Sequence, residues 1–192
     1  MRRLILASTS PFRRALLGRL GLPFEVDGPA VDETRAPGES PHSLVLRLSE
    51  AKARAVAARH ADALVVGSDQ VAVIGDEVLG KPGGREAAIA QLSRAAGRRV
   101  TFLTGLALVD AASGRAQAVV EPFHVHFRAL DPGQIARYVD HEQPFDCAGS
   151  FKSEGYGIAL FERLEGDDPT ALVGLPLIRL VALLGHAGIS LP

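Results

Sequence analysis

The hydrophobic residues of the chain form short continuous runs, separated by polar turns and by stretches with helical spacing. Continuous or alternating apolar runs predict strands, since side chains in a strand repeat every two residues. The predicted strands are 4–7, 63–66, 71–74, 100–109, 116–127 and 158–161. Gly75 and Asp76 predict a tight hairpin turn after the third of these strands, and Ser113 and Gly114 predict another turn after the fourth.

Helices are predicted where apolar residues recur every three or four positions behind a capping residue. Ser10, Ser40 and Asp131 each precede a proline, a pair that is typical of a helix start. Gln134 completes a capping box with Asp131. Helices are expected to begin near residues 10, 40, 85, 131 and 176. Strands that alternate with helices and include hairpins predict an α/β fold, with a mixed sheet and flanking helices, and we expect residues 1–192 to form a single domain.

The composition narrows the class of protein. Of the 192 residues, 47% are hydrophobic, which excludes a disordered chain. The formal net charge of −1 argues against general binding to nucleic acid or acidic lipid, so neither partner is expected. Cys147 is the only cysteine, which excludes an intrachain disulfide and favours a reducing compartment. No run approaches the ~20 apolar residues of a membrane span, so we expect no membrane segment and a cytoplasmic location.

The first candidate site is the turn from Ser8 to Arg14, which opens the first predicted helix. Free N–H groups and the helix dipole favour an anion at this end, where arginines are otherwise unfavourable. A phosphate would resolve the conflict, held by the hydroxyls of Ser8 and Ser10 and by the guanidinium groups of Arg13 and Arg14. Arginines that simply point into water are the alternative.

Two more candidates lie in the next helix and strand. Lys52 falls on the apolar stripe of the second helix, either with its head reaching water at the edge of the core or as a cation in a phosphate cleft. Asp69 follows the predicted strand 63–66, and open α/β sheets carry active residues beyond the carboxyl ends of their strands. An acid there can hold a divalent cation or deprotonate water. An ordinary turn is the alternative.

Glycine-flanked cations form the last group of candidates. Lys81 stands between Gly80 and Pro82, without the spacing of a Walker A loop. Lys152 and Glu154 lie in the loop 149–157, where glycines allow the backbone to approach a ligand closely. A mobile surface loop would have the same composition.

Together these motifs resemble the Maf family of nucleotide pyrophosphatases, in an order that runs from the segment at Leu4 to the segment ending at Pro176. The resemblance implies an α/β fold with a mixed sheet and a cleft between two lobes, as in the inosine-triphosphate pyrophosphatases. It also implies hydrolysis of nucleoside triphosphates to the monophosphate and pyrophosphate with a divalent metal, Mg²⁺ or Mn²⁺. Members often form dimers, so a homodimer is one assembly open to this chain.

Three places depart from the dTTP/UTP branch of that family and look like the branch that cleaves 7-methyl-GTP. They are Phe12 and the segments 68–70 and 150–155. By this resemblance Asp69 is the proton acceptor, and Phe12, Gln70 and Glu154 set the choice of substrate. The positive charge of a methylated guanine suits an aromatic face and a nearby carboxylate, which Phe12 and Glu154 offer. Stacking on Phe12 is inferred from this chemistry and not from the family.

The expected mechanism assigns the remaining charges. Glu33 and Asp69 hold the metal, and Arg13, Lys52 and Lys81 neutralise the triphosphate. Three alternatives stay open: the same reaction on dTTP, UTP or inosine triphosphate; a nucleotide-binding regulator of cell division without catalysis; and a binding module for RNA caps. The last is disfavoured because the sequence shows no extended basic surface.

Overall fold

The computed structural model describes residues 2–192, which contain seven strands and five α-helices. The strands are β1 Leu4–Ala7, β2 Glu25–Val26, β3 Leu64–Ile74, β4 Glu77–Leu79, β5 Arg99–Asp110, β6 Ala116–Phe127 and β7 Phe161–Glu165. The helices are α1 Pro11–Gly18, α2 Pro41–Ala57, α3 Arg85–Ala95, α4 Pro132–Glu142 and α5 Leu177–His186. Short 3-10 turns occupy Ala148–Ser150, Tyr156–Leu160 and Pro169–Val173. No helix among residues 2–192 combines the length and apolar character needed to cross a bilayer.

All seven strands join one mixed sheet, in the order β2-β1-β3-β5-β6-β7, with β4 paired to β3. β1 runs parallel to β2 and to β3, with Ala7 opposite Gly67. β4 is antiparallel to β3, and β7 is antiparallel to β6. The expectation of an α/β fold with a mixed sheet and flanking helices is confirmed.

Contacts within the described chain divide it into two compact units. The first comprises residues 2–70, 104–121 and 168–192. Alternate residues of its strands point to opposite faces of the sheet and build separate cores. One core gathers leucines and valines around α1 and α5, including Leu6, Leu17, Leu64 and Leu180. The other lies on the opposite face, against α2, and includes Ile5, Ala53, Val56, Val65 and Ala107.

The second unit comprises residues 71–103 and 122–167. Its interior contains a group of edge-to-face aromatic rings, with centroids 4.8–5.6 Å apart. The rings belong to Phe102, Phe127, Phe151 and Phe161. Edge-to-face contacts of this kind stabilise a core beyond the apolar area that they bury. The buried hydroxyl of Ser150 donates to Oε1 of Gln91 at 2.6 Å, which satisfies both polar groups inside the unit.

The predicted helix starts agree with the structure. The side chains of Ser10, Ser40 and Asp131 accept hydrogen bonds from the backbone N–H groups three residues on. The capping box between Asp131 and Gln134 is present in both directions. The two-residue strand β2, which is too short to show an apolar period, was not predicted.

The strand prediction is wrong in two places. Residues 63–66 and 71–74 do not form separate strands, because β3 runs unbroken from Leu64 to Ile74. Residues 158–160 are not extended, because they belong to the 3-10 turn Tyr156–Leu160. β7 begins only at Phe161. In both places short apolar runs fitted the strand pattern, and the polar segment inside β3 resembled a turn.

Candidate active site

The turn between β1 and α1 is built by two serine hydroxyls. Oγ of Ser8 accepts from the backbone N–H of Ser10 at 3.1 Å, and Oγ of Ser10 accepts from the N–H of Arg13 at 3.4 Å. Ser8 is buried, whereas Ser10 is half-buried at the helix start. Both oxygens therefore hold the turn, and their hydroxyl hydrogens remain available to an anion at this helix end.

Arg13 and Arg14 leave the same turn in different directions. Nε of Arg13 donates to the carbonyl of Gly174 at 2.8 Å, and no residue within 2–192 accepts from its two terminal nitrogens. Burial lowers the pKa of the Arg13 guanidinium, and the negative charges of Asp69 and Glu33 oppose that change. Arg14 is exposed and lines a surface depression with residues 22–26. Of the two arginines, the structure places only Arg13 beside the acidic candidates.

Lys52 is buried between two carboxylates. Its Nζ lies 2.7 Å from Oδ1 of Asp69 and 2.7 Å from Oε1 of Glu33. The Lys52 and Asp69 side chains are 8% and 10% exposed, whereas that of Glu33 is 61% exposed. The alternative of a lysine head in water is thus excluded. Lys52 is a fixed cation that compensates two negative charges, and Asp69 and Glu33 meet at its ammonium group.

The sequence suggested that Asp69 lies beyond the end of a strand. In the structure it lies inside β3. Gly67, two residues earlier and on the same strand face, lies against α2, and this close approach brings Asp69 to Lys52. No described residue forms a hydrogen bond with Oδ2 of Asp69. Because no fully buried side-chain N or O atom among residues 2–192 lacks a partner, this oxygen is reached by solvent. The carboxylate is therefore anchored by one oxygen and open to water by the other.

Gln70 points to the opposite face of β3 and holds a neighbouring segment. Its Nε2 lies 2.9 Å from Oγ1 of Thr104, 2.8 Å from the carbonyl of Ala171 and 3.2 Å from that of Leu172. The two carbonyls accept only, so the amide nitrogen must face them. The amide was expected to both donate and accept toward a ligand. Since its hydrogens are used within the protein, only Oε1 remains for a ligand.

The segment 168–174 supports this face of β3, and sequence reasoning missed it. Buried Asp168 accepts at Oδ1 from the N–H and hydroxyl of Thr170, at 3.0 and 2.6 Å. Its Oδ2 accepts from the N–H of Ile178, in the first turn of α5, at 2.7 Å. The signal was present, because Asp168 precedes a proline just as Ser10 and Asp131 do.

Three candidates lie in the second unit. Lys81 is exposed, two residues after β4. Nζ of Lys152 lies 3.2 Å from Oε1 of Glu142 and donates to the carbonyl of the same residue at 3.0 Å. Glu154 is exposed and accepts from the hydroxyl of Ser153 at 3.1 Å. Lys81 and Glu154 are thus presented to solvent, while Lys152 is held by an ion pair.

Phe12 completes the candidate set in the first unit. It lies in the first turn of α1 and is 38% exposed, an unusual position for a phenyl ring next to a capped helix end. An exposed ring beside an anion-favouring turn offers a flat apolar surface to a ligand.

The carboxylates suit a metal that is shared with phosphate. Within residues 2–192 no group of three or more His, Cys, Asp or Glu side chains could hold a metal alone. Mg²⁺ is usually bound through one or two carboxylates together with substrate phosphates. Glu33 and Asp69, which share one ammonium, match that donor set.

Comparison with known proteins identifies the family. The family model described as Maf-like protein matches residues 3–187. A 7-methyl-GTP pyrophosphatase of Alcanivorax borkumensis is 60% identical over 98% of this chain and 96% of its own. Proteins of the same name from Nitrosococcus oceani and Pseudomonas aeruginosa are 59% and 58% identical. They match over 96% and 98% of this chain, and over 93% and 98% of their own lengths.

A solved structure agrees on the fold. The Ham1 protein of Staphylococcus aureus superposes with a TM-score of 0.58 over 97% of this chain and 100% of its own, at 13% sequence identity. At that identity the likeness concerns the fold alone. With the family model matched over nearly the whole length and relatives at about 60% identity, this chain belongs to the Maf-like protein family.

Proposed function

We propose that this protein hydrolyses 7-methyl-GTP to 7-methyl-GMP and pyrophosphate, and so removes a modified nucleotide. Three relatives that are 58–60% identical over nearly their whole lengths carry the name of that activity. The observation that carries the proposal is the contact of buried Lys52 with Asp69 and Glu33, two carboxylates whose charges also act on Arg13. This arrangement combines an anchored carboxylate open to water with an arginine whose terminal nitrogens are available for phosphate.

In the proposed reaction Asp69 acts as the general base. Its solvent-reached oxygen accepts a proton from a water molecule as that water attacks the α-phosphorus. The new P–O bond forms while the bond from the α-phosphorus to the bridging oxygen breaks, and pyrophosphate leaves with the electron pair. Lys52 holds the other oxygen of Asp69, which fixes the direction of the acceptor. A positioned general base of this kind typically contributes about 10²–10⁴-fold to the rate.

The phosphate chain is bound by the remaining cations and hydroxyls. The two terminal nitrogens of Arg13 form a fork that matches two phosphate oxygens. The hydroxyls of Ser8 and Ser10 add donors at the helix start, where the dipole favours an anion. Lys81 is exposed and Lys152 is paired with Glu142, so of these two proposed phosphate-binding lysines Lys81 is the more available cation. Arg14 remains a weaker candidate, because it is exposed and lines the depression formed with residues 22–26.

A divalent cation is part of the proposal. Glu33 and Asp69 would hold Mg²⁺ or Mn²⁺ together with phosphate oxygens of the substrate. The metal would neutralise charge on the phosphates as the leaving group departs. Lys52 contacts both carboxylates, so the two proposed ligands are gathered around one side chain.

Base choice is assigned to Phe12, Gln70 and Glu154. The phenyl face of Phe12 suits the cationic ring of 7-methylguanine. Oε1 of Gln70 and the carboxylate of Glu154 accept only, and therefore favour an edge rich in N–H donors, such as that of guanine.

A cytoplasmic location belongs to the same proposal. A chain with one cysteine forms no intrachain disulfide and therefore suits a reducing compartment.

The test is a pyrophosphate-release assay over a panel of nucleotides. We expect the highest kcat/KM for 7-methyl-GTP, ahead of GTP, inosine triphosphate, dTTP and UTP. Faster turnover of UTP than of 7-methyl-GTP would disprove the assigned branch and favour the alternative substrates.

Asp69→Asn separates catalysis from binding alone. The amide keeps the size of the carboxylate but is a poor proton acceptor, so kcat should fall by about 10²–10⁴-fold while the nucleotide still binds through the Arg13 fork. Asp76→Asn, at an exposed aspartate in the turn after β3, is the matched control and should leave kcat unchanged. Equal turnover by the Asp69→Asn and wild-type proteins would exclude Asp69 as the base. A wild-type protein that binds nucleotides and hydrolyses none would favour the regulator.

A further inference from the structure

The carbonyl group of Gly174 connects the phosphate-facing arginine with β3. It accepts from Nε of Arg13 at 2.8 Å and from Oγ of Ser68 at 2.9 Å. Ser68 is fully buried, and the same hydroxyl also lies 2.7 Å from the carbonyl of Gly105. One hydroxyl hydrogen is therefore shared between two carbonyls, and Ser68 fixes Gly174 against β5.

The backbone at Gly174 requires glycine. Its φ of +108° lies in a region that other residues rarely adopt, and an added Cβ would lie 3.4 Å from Nε of Arg13. The segment before it is held from three directions: by Asp168 at its start, by Gln70 at the carbonyls of Ala171 and Leu172, and by Thr104, which donates to Ala171 at 2.9 Å. These contacts end at Leu172, and the carbonyl of Gly174 itself is held by the Ser68 hydroxyl.

We propose that Ser68 and Gly174 are positioning residues for Arg13, an inference that rests on the phosphate-binding part of the proposed function. The Gly174 carbonyl, held by Ser68, accepts from Nε, the side nitrogen of the guanidinium group, and thereby orients the two terminal nitrogens of Arg13 as a fork. A long, flexible side chain gains affinity for a ligand when its direction is set in advance, because less conformational freedom is lost on binding. Ser68 thus acts on phosphate binding without touching the substrate.

A positioning role predicts which property of the enzyme changes. Loss of the Ser68 hydroxyl loosens the Gly174 carbonyl and with it the Arg13 fork. Since phosphate is common to all nucleotides, the loss should be equal for every base. We expect Ser68→Ala to lower kcat/KM by 5- to 20-fold for 7-methyl-GTP and, within twofold, by the same factor for UTP.

A double-mutant cycle distinguishes positioning from a general loss of structure. Arg13→Lys keeps the charge but removes both Nε and the fork. In that background Ser68→Ala should change kcat/KM by less than twofold, since it has no guanidinium left to orient. Equal losses in the wild-type and Arg13→Lys backgrounds, or a loss confined to one base, would overturn the proposal. Gly174→Ala is tested in the same cycle, so that a Ser68→Ala protein that fails to fold still leaves a test.

Binding of inorganic tripolyphosphate, measured by calorimetry with Mg²⁺ present, makes the test independent of the substrate. We expect Ser68→Ala to weaken this binding 5- to 20-fold in the wild-type background and less than twofold in the Arg13→Lys background. That result supports the inference even if 7-methyl-GTP is a poor substrate. In that case only the proposed preference for 7-methylguanine is wrong. No binding of tripolyphosphate by the wild-type protein would overturn the inference.

Discussion

At the scale of single residues, Lys52 compensates the negative charges of two carboxylates. Its ammonium group and the Asp69 carboxylate are both nearly buried and lie 2.7 Å apart. Removal of one partner from such a pair leaves an uncompensated buried charge, which typically costs about 3–5 kcal/mol. Loss of both partners together costs much less.

Lys52→Met should therefore lower the free energy of unfolding by about 3 kcal/mol, measured by urea denaturation at pH 7. The double variant Lys52→Met/Asp69→Asn should recover most of that loss, although it stays inactive because the proposed base is gone. Lys81→Met removes an exposed lysine and should change stability by less than about 0.5 kcal/mol. Wild-type stability of the single Lys52→Met variant would show that the pair does not stabilise the fold.

The same residue shows what sequence reasoning could and could not see in the site. Position on the apolar stripe of α2 singled out Lys52, and position directly after a predicted strand singled out Asp69. Their contact was not predicted, because it depends on how closely α2 approaches β3. Glu33 was assigned to the metal in the expected mechanism without a strong local sequence pattern, and its contact with Lys52 gives that assignment a physical reason.

At the scale of elements, the close approach of α2 to β3 depends on Gly67. A Cβ at this position would lie 2.2 Å from the backbone oxygen of Ser49 and 2.8 Å from the nitrogen of Ala53. Backbone atoms of a helix do not move aside as the tip of a side chain does. Any larger residue must push the helix from the sheet, and Lys52 moves with the helix.

Gly67→Ala should thus destabilise the protein by more than the ~1–3 kcal/mol typical of overpacking, and it should also reduce hydrolysis. Gly18→Ala provides the control, since nothing lies within 4 Å of an added Cβ there and alanine favours a helix by up to about 1 kcal/mol. Urea denaturation of both variants measures the difference. If Gly67→Ala unfolds at the wild-type urea concentration, the close contact is not a constraint.

Elements whose ends are set by local chemistry were predictable. The helices that begin at Pro11, Pro41 and Pro132 follow a capping residue and a proline, and both signals act within a few positions. β3 was divided wrongly because its polar segment 68–70 resembles a turn. In the fold each of these polar side chains finds a partner distant in sequence, which no local pattern reveals.

At the scale of the whole molecule, ion pairs at separate places make stability depend on pH. The hydrogen bond from Arg2 holds the pKa of Asp110 well below its ordinary value of 3.8. Arg59 and then His60 lower the pKa of Asp27, and Arg85 lowers that of Asp140. A carboxyl group with a lowered pKa in the folded state stabilises the fold above its unfolded pKa. That contribution is lost as the pH falls through the lower, folded value.

The free energy of unfolding should accordingly stay nearly constant from pH 7 to about pH 5 with respect to these groups, and fall steadily below about pH 4. Asp110→Asn keeps an acceptor for the N–H groups of Ala112 and Ser113 but loses the ion pair with Arg2. This variant should be less stable than the wild type at pH 7, with the gap narrowing as the pH falls below about 4, because Asp110 of the wild type then binds a proton on unfolding while it is still ionised and paired with Arg2 in the fold. Urea midpoints measured from pH 7 to pH 3 give both curves, with Asp76→Asn, at an exposed aspartate, expected to follow the wild type throughout. A gap for Asp110→Asn that stays constant over the whole range would mean that its effect is steric, and that the charge pair with Arg2 does not link folding to pH.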